Sequence, residues 1–245
     1  MLPGPAPPSI DRLWITQPRK ATALAKVLAV RGDWVLLDRS LLAPESRSHR
    51  HPQPCDQGTL WGRGEKRRVV KVEERDGQPW MRVPGARLQA GDQVNLHLDA
   101  ERRELASRAH TALHLLLPGL AAAGAKLVAD PQVKNGGNVR IELDSVLPAA
   151  QLAVVLQQAN AWVAANVPVE REHATRSALH DVDAQPFHPP DPIPGPDPVQ
   201  LVRIAGVGCL PCDGTHVERT ARVGRIVIAE ARSSRGRFVL VARVT

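Results

Sequence analysis

The 245-residue sequence is poor in aromatic residues and in cysteine. It has no tyrosine, two phenylalanines and five tryptophans, so a folded core must be built mainly from Leu, Val, Ala and Ile. Hydrophobic residues make up 43% of the chain, which is enough for such a core. Three cysteines do not form a disulfide framework, and we therefore expect a cytoplasmic protein.

A membrane-spanning run and a recognisable secretion signal are also missing. The longest apolar stretch, residues 111–129, is interrupted by a histidine, a proline, a lysine and two glycines. The first eight residues, Met-Leu-Pro-Gly-Pro-Ala-Pro-Pro, have neither the charged end nor the apolar run of a signal peptide. These absences predict that the protein has no membrane partner.

Positive charge is concentrated in the first part of the chain. The net charge is +7; residues 1–98 carry 16 Lys and Arg against 10 Asp and Glu, whereas residues 99–245 carry 16 against 15. A basic surface attracts the phosphate backbone of nucleic acids, although a solvated basic loop has the same composition. The densest group of cations, and our candidate contacts to a nucleic-acid backbone, consists of Arg63, Lys66, Arg67, Arg68 and Lys71.

Residues 1–98 have the pattern of a small all-β domain behind a proline-rich leader. Residues 1–22 are rich in proline, and we expect them to be loosely ordered. From residue 23 to residue 98, short β-type runs alternate with turn signals, which predicts a small β-barrel domain. The expected strands are Leu24–Val30, Trp34–Asp38, Val69–Glu74, Pro79–Val83 and Gln93–Leu98.

Residues 99–245 mix helices with strands, which predicts a two-layer α/β domain and an α+β protein as a whole. A helix is expected over residues 100–117, with Asp99 as its N-cap and Pro118-Gly119 as its stop, and a second from Pro148 to about Asn166. Seven of the fourteen residues in Gln185–Pro198 are proline, which indicates an extended loop. The expected strands are Lys126–Ala129, Asn138–Leu143, Val167–Ala174, Leu201–Ile204, Arg222–Ala229 and Arg237–Val244.

Two pairs of potential metal ligands stand about a hundred residues apart. His110 and His114 lie one turn apart on the same face of the first expected helix. Cys212 and His216 have the same spacing, beside glycines that let a backbone turn tightly around an ion. Three imidazoles and one thiolate suit Zn²⁺, so we expect these four side chains to converge.

Other interpretations of these pairs remain open. A single histidine pair on an apolar helix is commonly structural, and no glutamate follows His110 as a zincin would require. Cys209 and Cys212 form a CxxC pair, which could hold a closed structural ion or act as a reactive dithiol. Asp213 is either a turn residue or a support for a ligating imidazole.

Two segments resemble a known family. Arg-Ala-His-Thr-Ala-Leu-His-Leu-Leu, within residues 103–117, and Pro-Cys-Asp-Gly-Thr-His-Val-Glu-Arg-Thr, from residue 211, are similar to the alanyl-tRNA editing proteins. This is the AlaX family, related to the editing domain of alanyl-tRNA synthetase and more distantly to threonyl-tRNA synthetase. Weaker likenesses lie in Val139–Leu143 and in Gln53-x-x-Asp56-x-Gly58, so the resemblance covers most of residues 24–230.

The chain also departs from the family pattern at two places. Residues 46–52, Ser-Arg-Ser-His-Arg-His-Pro, replace the Gly-Gly pair that the family carries before the glutamine. Cys-Asp-Gly-Thr-His replaces Cys-Gly-Gly-Thr-His, which places Asp213 beside the expected ligands.

The resemblance implies hydrolysis of the ester between a wrong amino acid and the acceptor end of tRNA(Ala), with serine the expected amino acid and glycine a further one. It implies one Zn²⁺ on His110, His114, Cys212 and His216. Four protein ligands leave no open tetrahedral position, so His110 or Cys212 could instead serve as a proton-transferring or positioning group. Rejection of alanine requires a polar group that pairs with the serine hydroxyl. Gln132, near Arg140, is our candidate, although a glutamine in a surface loop has the same pattern.

Two other functions fit the sequence. One is a non-catalytic RNA-binding module with a structural zinc. The other is an editing domain that acts on a different mischarged tRNA, such as seryl-tRNA(Thr).

Overall fold

The computed structural model describes residues 9–45, 52–181, 198–234 and 236–245, and these divide into two compact units. Unit 1 comprises residues up to Glu45 together with Cys55–Arg103, and unit 2 comprises Ser46–Pro54 together with Glu104–Thr245. Most of residues 1–8, 46–52 and 185–198, three segments discussed above, lie outside the described ranges. The described elements are mostly strands with a few helices, which confirms the α+β class.

Unit 1 is built on a seven-stranded antiparallel sheet that curls into a half-barrel. The strand order is β6-β5-β9-β2-β3-β8-β7, with a short parallel pair, β1 and β4, beside it. The elements are β1 (Asp11–Arg12), α1 (Leu13–Thr16), β2 (Thr22–Arg31), β3 (Trp34–Leu37), β4 (Arg39–Ser40), β5 (Gly58–Gly62), β6 (Glu65–Val69), β7 (Lys71–Arg75), β8 (Gln78–Arg82) and β9 (Gln93–Leu98).

The sequence-based prediction for unit 1 missed the hairpin of β5 and β6. The glycines at both ends of β5 and the four charged residues in β6 obscure the alternation of apolar and polar residues that predicts a strand. Both turn residues, Arg63 and Gly64, have positive φ, as a tight two-residue hairpin requires. The loose order expected of residues 1–22 is wrong for residues 11–16, where Leu13 and Trp14 are buried.

Arg103 and Asp56 form a buried ion pair in unit 1. The Arg103 guanidinium donates through Nε to both carboxylate oxygens of Asp56, at 2.9 and 3.0 Å, and through Nη2 to the Leu41 carbonyl at 2.8 Å. The same carboxylate accepts the backbone N–H of Ala43 at 2.6 Å. Because both charged groups are almost fully buried, each compensates the charge of the other, and removing either one would leave an unpaired buried charge.

Unit 2 combines two antiparallel sheets with two long helices. One sheet has the order β10-β11-β16-β15 and the other β12-β13-β14. The elements are α2 (Ala100–Ala122), which begins in unit 1, and β10 (Gln132–Lys134), β11 (Asn138–Leu143), α3 (Ala149–Ala165), β12 (Val169–Ala174), β13 (Val199–Ile204), β14 (Gly208–Pro211), β15 (Ile226–Ser234) and β16 (Arg237–Val244).

Helix α2 begins as predicted but ends later. The Asp99 carboxylate accepts the backbone N–H of Arg102 at 3.1 Å, which confirms the N-cap. The predicted stop at Pro118 is wrong, because the helix runs through it to Ala122. Leu120 is buried in the core, and at Gly119 an added Cβ would lie only 3.1 Å from Val155 of α3, so the apolar contacts continue past the proline.

The other predictions for this half are of mixed accuracy. Strands β11 and β16 and helix α3 lie where the sequence placed them, within one residue. The strand expected at Lys126–Ala129 is reduced to a single bridge, from Leu127 to Leu143, and β14 was not predicted. No helix of the described ranges is long and apolar enough to cross a membrane.

Candidate metal centre

The four predicted ligands converge within unit 2. Helix α2 carries His110 and His114 one turn apart, and the loop after β14 supplies Cys212 and His216. One potential ligand atom from each residue lies within 4.8 Å of the other three. His110, His114 and Cys212 are buried, and His216 is intermediate as a whole residue but belongs to the same buried cluster.

Two of the distances between the potential ligand atoms are close to those around a tetrahedral zinc ion. The Cys212 Sγ atom lies 3.3 Å from Nε2 of His110 and 3.3 Å from Nε2 of His216. Zinc bonds of about 2.0 Å to nitrogen and about 2.3 Å to sulfur would separate two nitrogen ligands by roughly 3.3 Å and a nitrogen from a sulfur by roughly 3.5 Å. The donor set and its spacing therefore fit Zn²⁺.

Gln53 orients the first imidazole. Its Oε1 atom lies 2.7 Å from Nδ1 of His110 and accepts the backbone N–H of Thr215 at 3.0 Å. Its amide group donates to the Thr215 hydroxyl at 2.7 Å, which fixes the oxygen toward the imidazole. An oxygen that can only accept requires a proton on Nδ1, so the lone pair of His110 stands on Nε2 and faces Cys212.

Thr111 has the same role for His216. Its hydroxyl donates to the Ser107 carbonyl at 2.9 Å and lies 3.1 Å from Nδ1 of His216. Because the single hydroxyl proton is already used, the oxygen must accept from Nδ1–H. The lone pair on Nε2 of His216 therefore also faces Cys212.

The glycine in Cys-Asp-Gly-Thr-His allows the loop to approach helix α2. A Cβ placed on Gly214 would lie 2.0 Å from Cε1 of His110 and 2.2 Å from its Nδ1. Any side chain at this position would displace the imidazole. The loop sequence thus permits a contact between two segments that are distant in the chain.

Burial controls the protonation of Cys212. Removal from water raises the pKa of its thiol, and the carboxylate of Asp213 raises this pKa further. A thiol in this environment stays neutral until a cation compensates the thiolate, so metal binding must release its proton.

Cys209, the other thiol of the CxxC pair, lies outside this cluster. Cys209 lies in β14 and packs with Val199 and Leu201 in a separate apolar cluster. The only group of at least three possible ligands in the described ranges contains Cys212 and not Cys209. No pair of thiols therefore shares this centre.

Sequence reasoning missed the supporting side chains. The sequence assigns Gln53 no role beyond a weak likeness to the family, and it assigns none to Thr111, which lies between His110 and His114. Ser107 donates to the Thr215 hydroxyl at 2.9 Å and completes this buried polar set. The available signal was spacing: Ser107 and Thr111 stand one helical turn apart, on the helix that carries His110 and His114.

Gln132 and Arg140 are direct cross-strand neighbours on β10 and β11. Their side chains occupy the face of the sheet opposite to the buried Val133 and Val139. Gln132 accepts a hydrogen bond from Lys134, and Arg140 forms an ion pair with Glu142 at 2.8 Å. The structure thus brings the two residues together, as the sequence predicted.

The five predicted RNA-contacting cations of unit 1 lie on different sides of the sheet. Lys66 and Arg68 point to one face of β6, and Arg67 points to the other, beside Leu60. Arg63 and Arg67 line a cavity of about 330 Å³ together with Arg87. Three of the five pair with carboxylates: Arg63 with Asp92, Arg67 with Glu65 and Lys71 with Glu73.

Comparison with known proteins relates the chain to alanine–tRNA ligases. The ligase of Methanoregula boonei is 29% identical over 224 residues, which is 90% of this chain. Those of Archaeoglobus fulgidus and Korarchaeum cryptofilum are 28% and 30% identical over 92% of the chain. No protein-family model matches.

The relationship is limited to one part of the ligases. The chain spans about a quarter of their length, between 24% and 25% in these three relatives. The resemblance to the alanyl-tRNA synthetase group, inferred from the two ligand motifs, is thereby confirmed for this segment.

Proposed function

We propose that this chain is an editing hydrolase of the AlaX type, which removes a wrongly attached amino acid from tRNA(Ala) in trans. One observation carries the proposal: three imidazoles and a thiol converge in a chain related to alanine–tRNA ligases. The expected substrate is seryl-tRNA(Ala), with glycyl-tRNA(Ala) as a second one.

The proposed zinc ligands are His110, His114, Cys212 and His216. When bound, Zn²⁺ would supply positive charge that polarises an ester carbonyl or acidifies a water molecule. Hydrogen bonds from the two Nδ1 atoms to Gln53 and Thr111 keep His110 and His216 in the ligating tautomer.

The chain itself supplies a preorganised and largely dry site. An aminoacyl ester is already activated, so hydrolysis chiefly requires a positioned water and stabilisation of developing negative charge. His110 and Cys212 are our candidates for direct contact with the reacting atoms, because both are fully buried at the centre of the cluster. Gln132 and Arg140 are the proposed contacts to the amino acid.

We further propose a division of labour between two domains behind the leader 1–22. In this division residues 23–98, as a β-barrel domain, bind the acceptor end of the tRNA through Arg63, Lys66, Arg67, Arg68 and Lys71. Residues 99–245, as a two-layer editing domain, hydrolyse the ester. A cytoplasmic location, where tRNA is charged, is part of this proposal.

The decisive test is the deacylation of purified seryl-tRNA(Ala). The native chain should release serine, and His110→Ala should reduce the rate to near background. His173→Ala is the matched control, because it removes an exposed imidazole from β12 of the same unit. Gln132→Ala should be assayed on seryl-tRNA(Ala) and on alanyl-tRNA(Ala). The ratio of the first hydrolysis rate to the second should be lower than in the native chain.

Each other outcome selects a different function. Faster hydrolysis of seryl-tRNA(Thr) than of seryl-tRNA(Ala) would identify a different editing substrate. RNA binding without hydrolysis of either substrate would identify a non-catalytic module and overturn the proposal.

A further inference from the structure

One face of the unit 1 sheet exposes two large apolar side chains together with several cations. Register pairs Trp61 of β5 with Lys66 of β6 on one side and with Asn95 of β9 on the other, and Asn95 pairs with Leu24 of β2. Residues paired across antiparallel strands point to the same face, so these four side chains form one row. We call the sheet face that carries this row the Trp61 face.

The apolar centre of the Trp61 face is unusual for a surface. Trp61 is 52% exposed and Leu24 is 58% exposed, and they are two of the five large hydrophobic side chains that the described residues expose. By contrast, Trp14 and Trp80 of the same unit are buried. Placing two such side chains in one row of one sheet costs hydration free energy, which a bound partner would recover.

The charge of the Trp61 face indicates a polyanionic partner. The next row pairs Thr59 with Arg68 and with His97, and Lys26 extends the face along β2. Lys66 is therefore the direct cross-strand neighbour of the tryptophan, Arg68 is its diagonal neighbour, and Lys26 lies two strands away on the same face. The paired positions of these two rows contain no carboxylate. Among the described residues Lys66 has no ion pair, and the Arg68 guanidinium donates to the neutral amide of Gln57 at 2.6 Å.

An exposed indole between cations on an open sheet face matches the chemistry of unpaired nucleotides. Bases that are not already stacked in a duplex can stack on an aromatic ring, while lysine and arginine neutralise the adjoining phosphates. Bases in a duplex offer edges and phosphates rather than free ring faces, and they would leave Trp61 unused.

We propose that the Trp61 face binds an unpaired RNA segment, with a base stacked on Trp61 and its phosphates held by Lys66 and Arg68. This inference deepens the proposed function, on which it rests for the identity of the nucleic acid as RNA. Trp61 is a contact to RNA that the five cations singled out in the sequence do not include. Lys66 and Arg68 share its face of the sheet, whereas Arg67 lies on the opposite face.

Fluorescence anisotropy of labelled RNA tests the proposal with the full chain. The probes are a single-stranded oligoadenylate and a blunt, fully paired RNA duplex of the same strand length, neither of which carries an amino acid. The native chain should prefer the single strand, and Trp61→Ala should weaken that binding about tenfold, since stacking on an aromatic side chain accounts for such factors. Trp61→Phe should retain most of the affinity, and Val154→Ala, which trims an exposed side chain of unit 2, should retain all of it.

A charge series tests the phosphate contacts separately. Lys66→Gln with Arg68→Gln should reduce the slope of log affinity against log salt by about 1.4 for a single strand. Arg39→Gln with Arg82→Gln is the matched control, because it removes two cations of the same unit that already pair with aspartates.

The outcomes separate this inference from the proposed hydrolase activity. Unchanged binding by Trp61→Ala, with a native unfolding midpoint, would overturn the inference whatever the deacylation assay shows. Equal binding of duplex and single strand would overturn it too, as would a homodimer that Trp61→Ala dissociates. If the chain binds RNA through Trp61 but hydrolyses no ester, the RNA-binding role of the Trp61 face is supported and the hydrolase proposal is wrong.

Discussion

At the scale of single residues, the candidate metal centre depends on its supporting side chains as much as on its potential ligands. The motif residues His110, His114, Cys212 and His216 were predictable because helical spacing and ligand chemistry leave a pattern in the sequence. Gln53 was not, since nothing in a sequence shows that a glutamine from a distant segment will accept from His110 Nδ1.

Thr111→Val offers a sharp test of the supporting role. Valine has nearly the same shape but cannot accept the Nδ1–H of His216, so the imidazole loses its fixed tautomer. The dissociation constant for Zn²⁺, measured by chelator competition, should rise about 10- to 100-fold. Thr111→Ser should restore it, and Thr175→Val, at an exposed threonine, should leave it unchanged. Native affinity in Thr111→Val would show that the hydroxyl does not orient the ligand.

At the scale of secondary-structure elements, packing decided where local signals failed. Pro118 would normally end a helix, yet buried Leu120 and the close contact of Gly119 with Val155 continue α2 for another turn. Strand β5 was missed because a glycine such as Gly58 usually indicates a turn. Here the glycine allows close approach to the neighbouring strand, since a Cβ at Gly58 would lie 2.1 Å from the His97 carbonyl oxygen. Such contacts between strands cannot be read from local composition.

The start of α2 gives an element-scale prediction about stability. Asp56→Ala would leave the Arg103 guanidinium, on the first turn of this helix, buried without its counter-ion. We expect a loss of about 3–5 kcal/mol in the free energy of unfolding of unit 1, measured by urea titration. The control Glu104→Ala breaks an exposed ion pair with Arg222 and should cost less than about 1 kcal/mol. Equal costs for the two variants would contradict the account.

At the scale of the whole molecule, the sequence separated a β-rich, basic first part from a mixed second part. It could not assign Gln53 to unit 2, because Glu45 before it and Cys55 after it both belong to unit 1. At the candidate metal centre the Gln53 side chain contacts both His110 and Thr215. Contacts of this kind depend on tertiary structure rather than on any local pattern.

Metal removal gives the prediction at this scale. The core of unit 2 packs α2 and α3 on the sheet through side chains such as Leu113, Val155, Ile141 and Leu240, which need no ion to remain in contact. A chelated chain should therefore keep its far-ultraviolet circular dichroism and unfold cooperatively at a lower temperature, as loss of a ligand of the native state requires. Complete unfolding on chelation would instead indicate a structural zinc.

The central claim is that three imidazoles and one sulfur surround a single zinc ion, and X-ray absorption at the zinc edge measures this directly. The account predicts one sulfur scatterer at about 2.3 Å and three nitrogen scatterers at about 2.0 Å, with the sulfur lost in Cys212→Ser and retained in Cys209→Ser. Two sulfur scatterers, or a sulfur that disappears in Cys209→Ser, would contradict it.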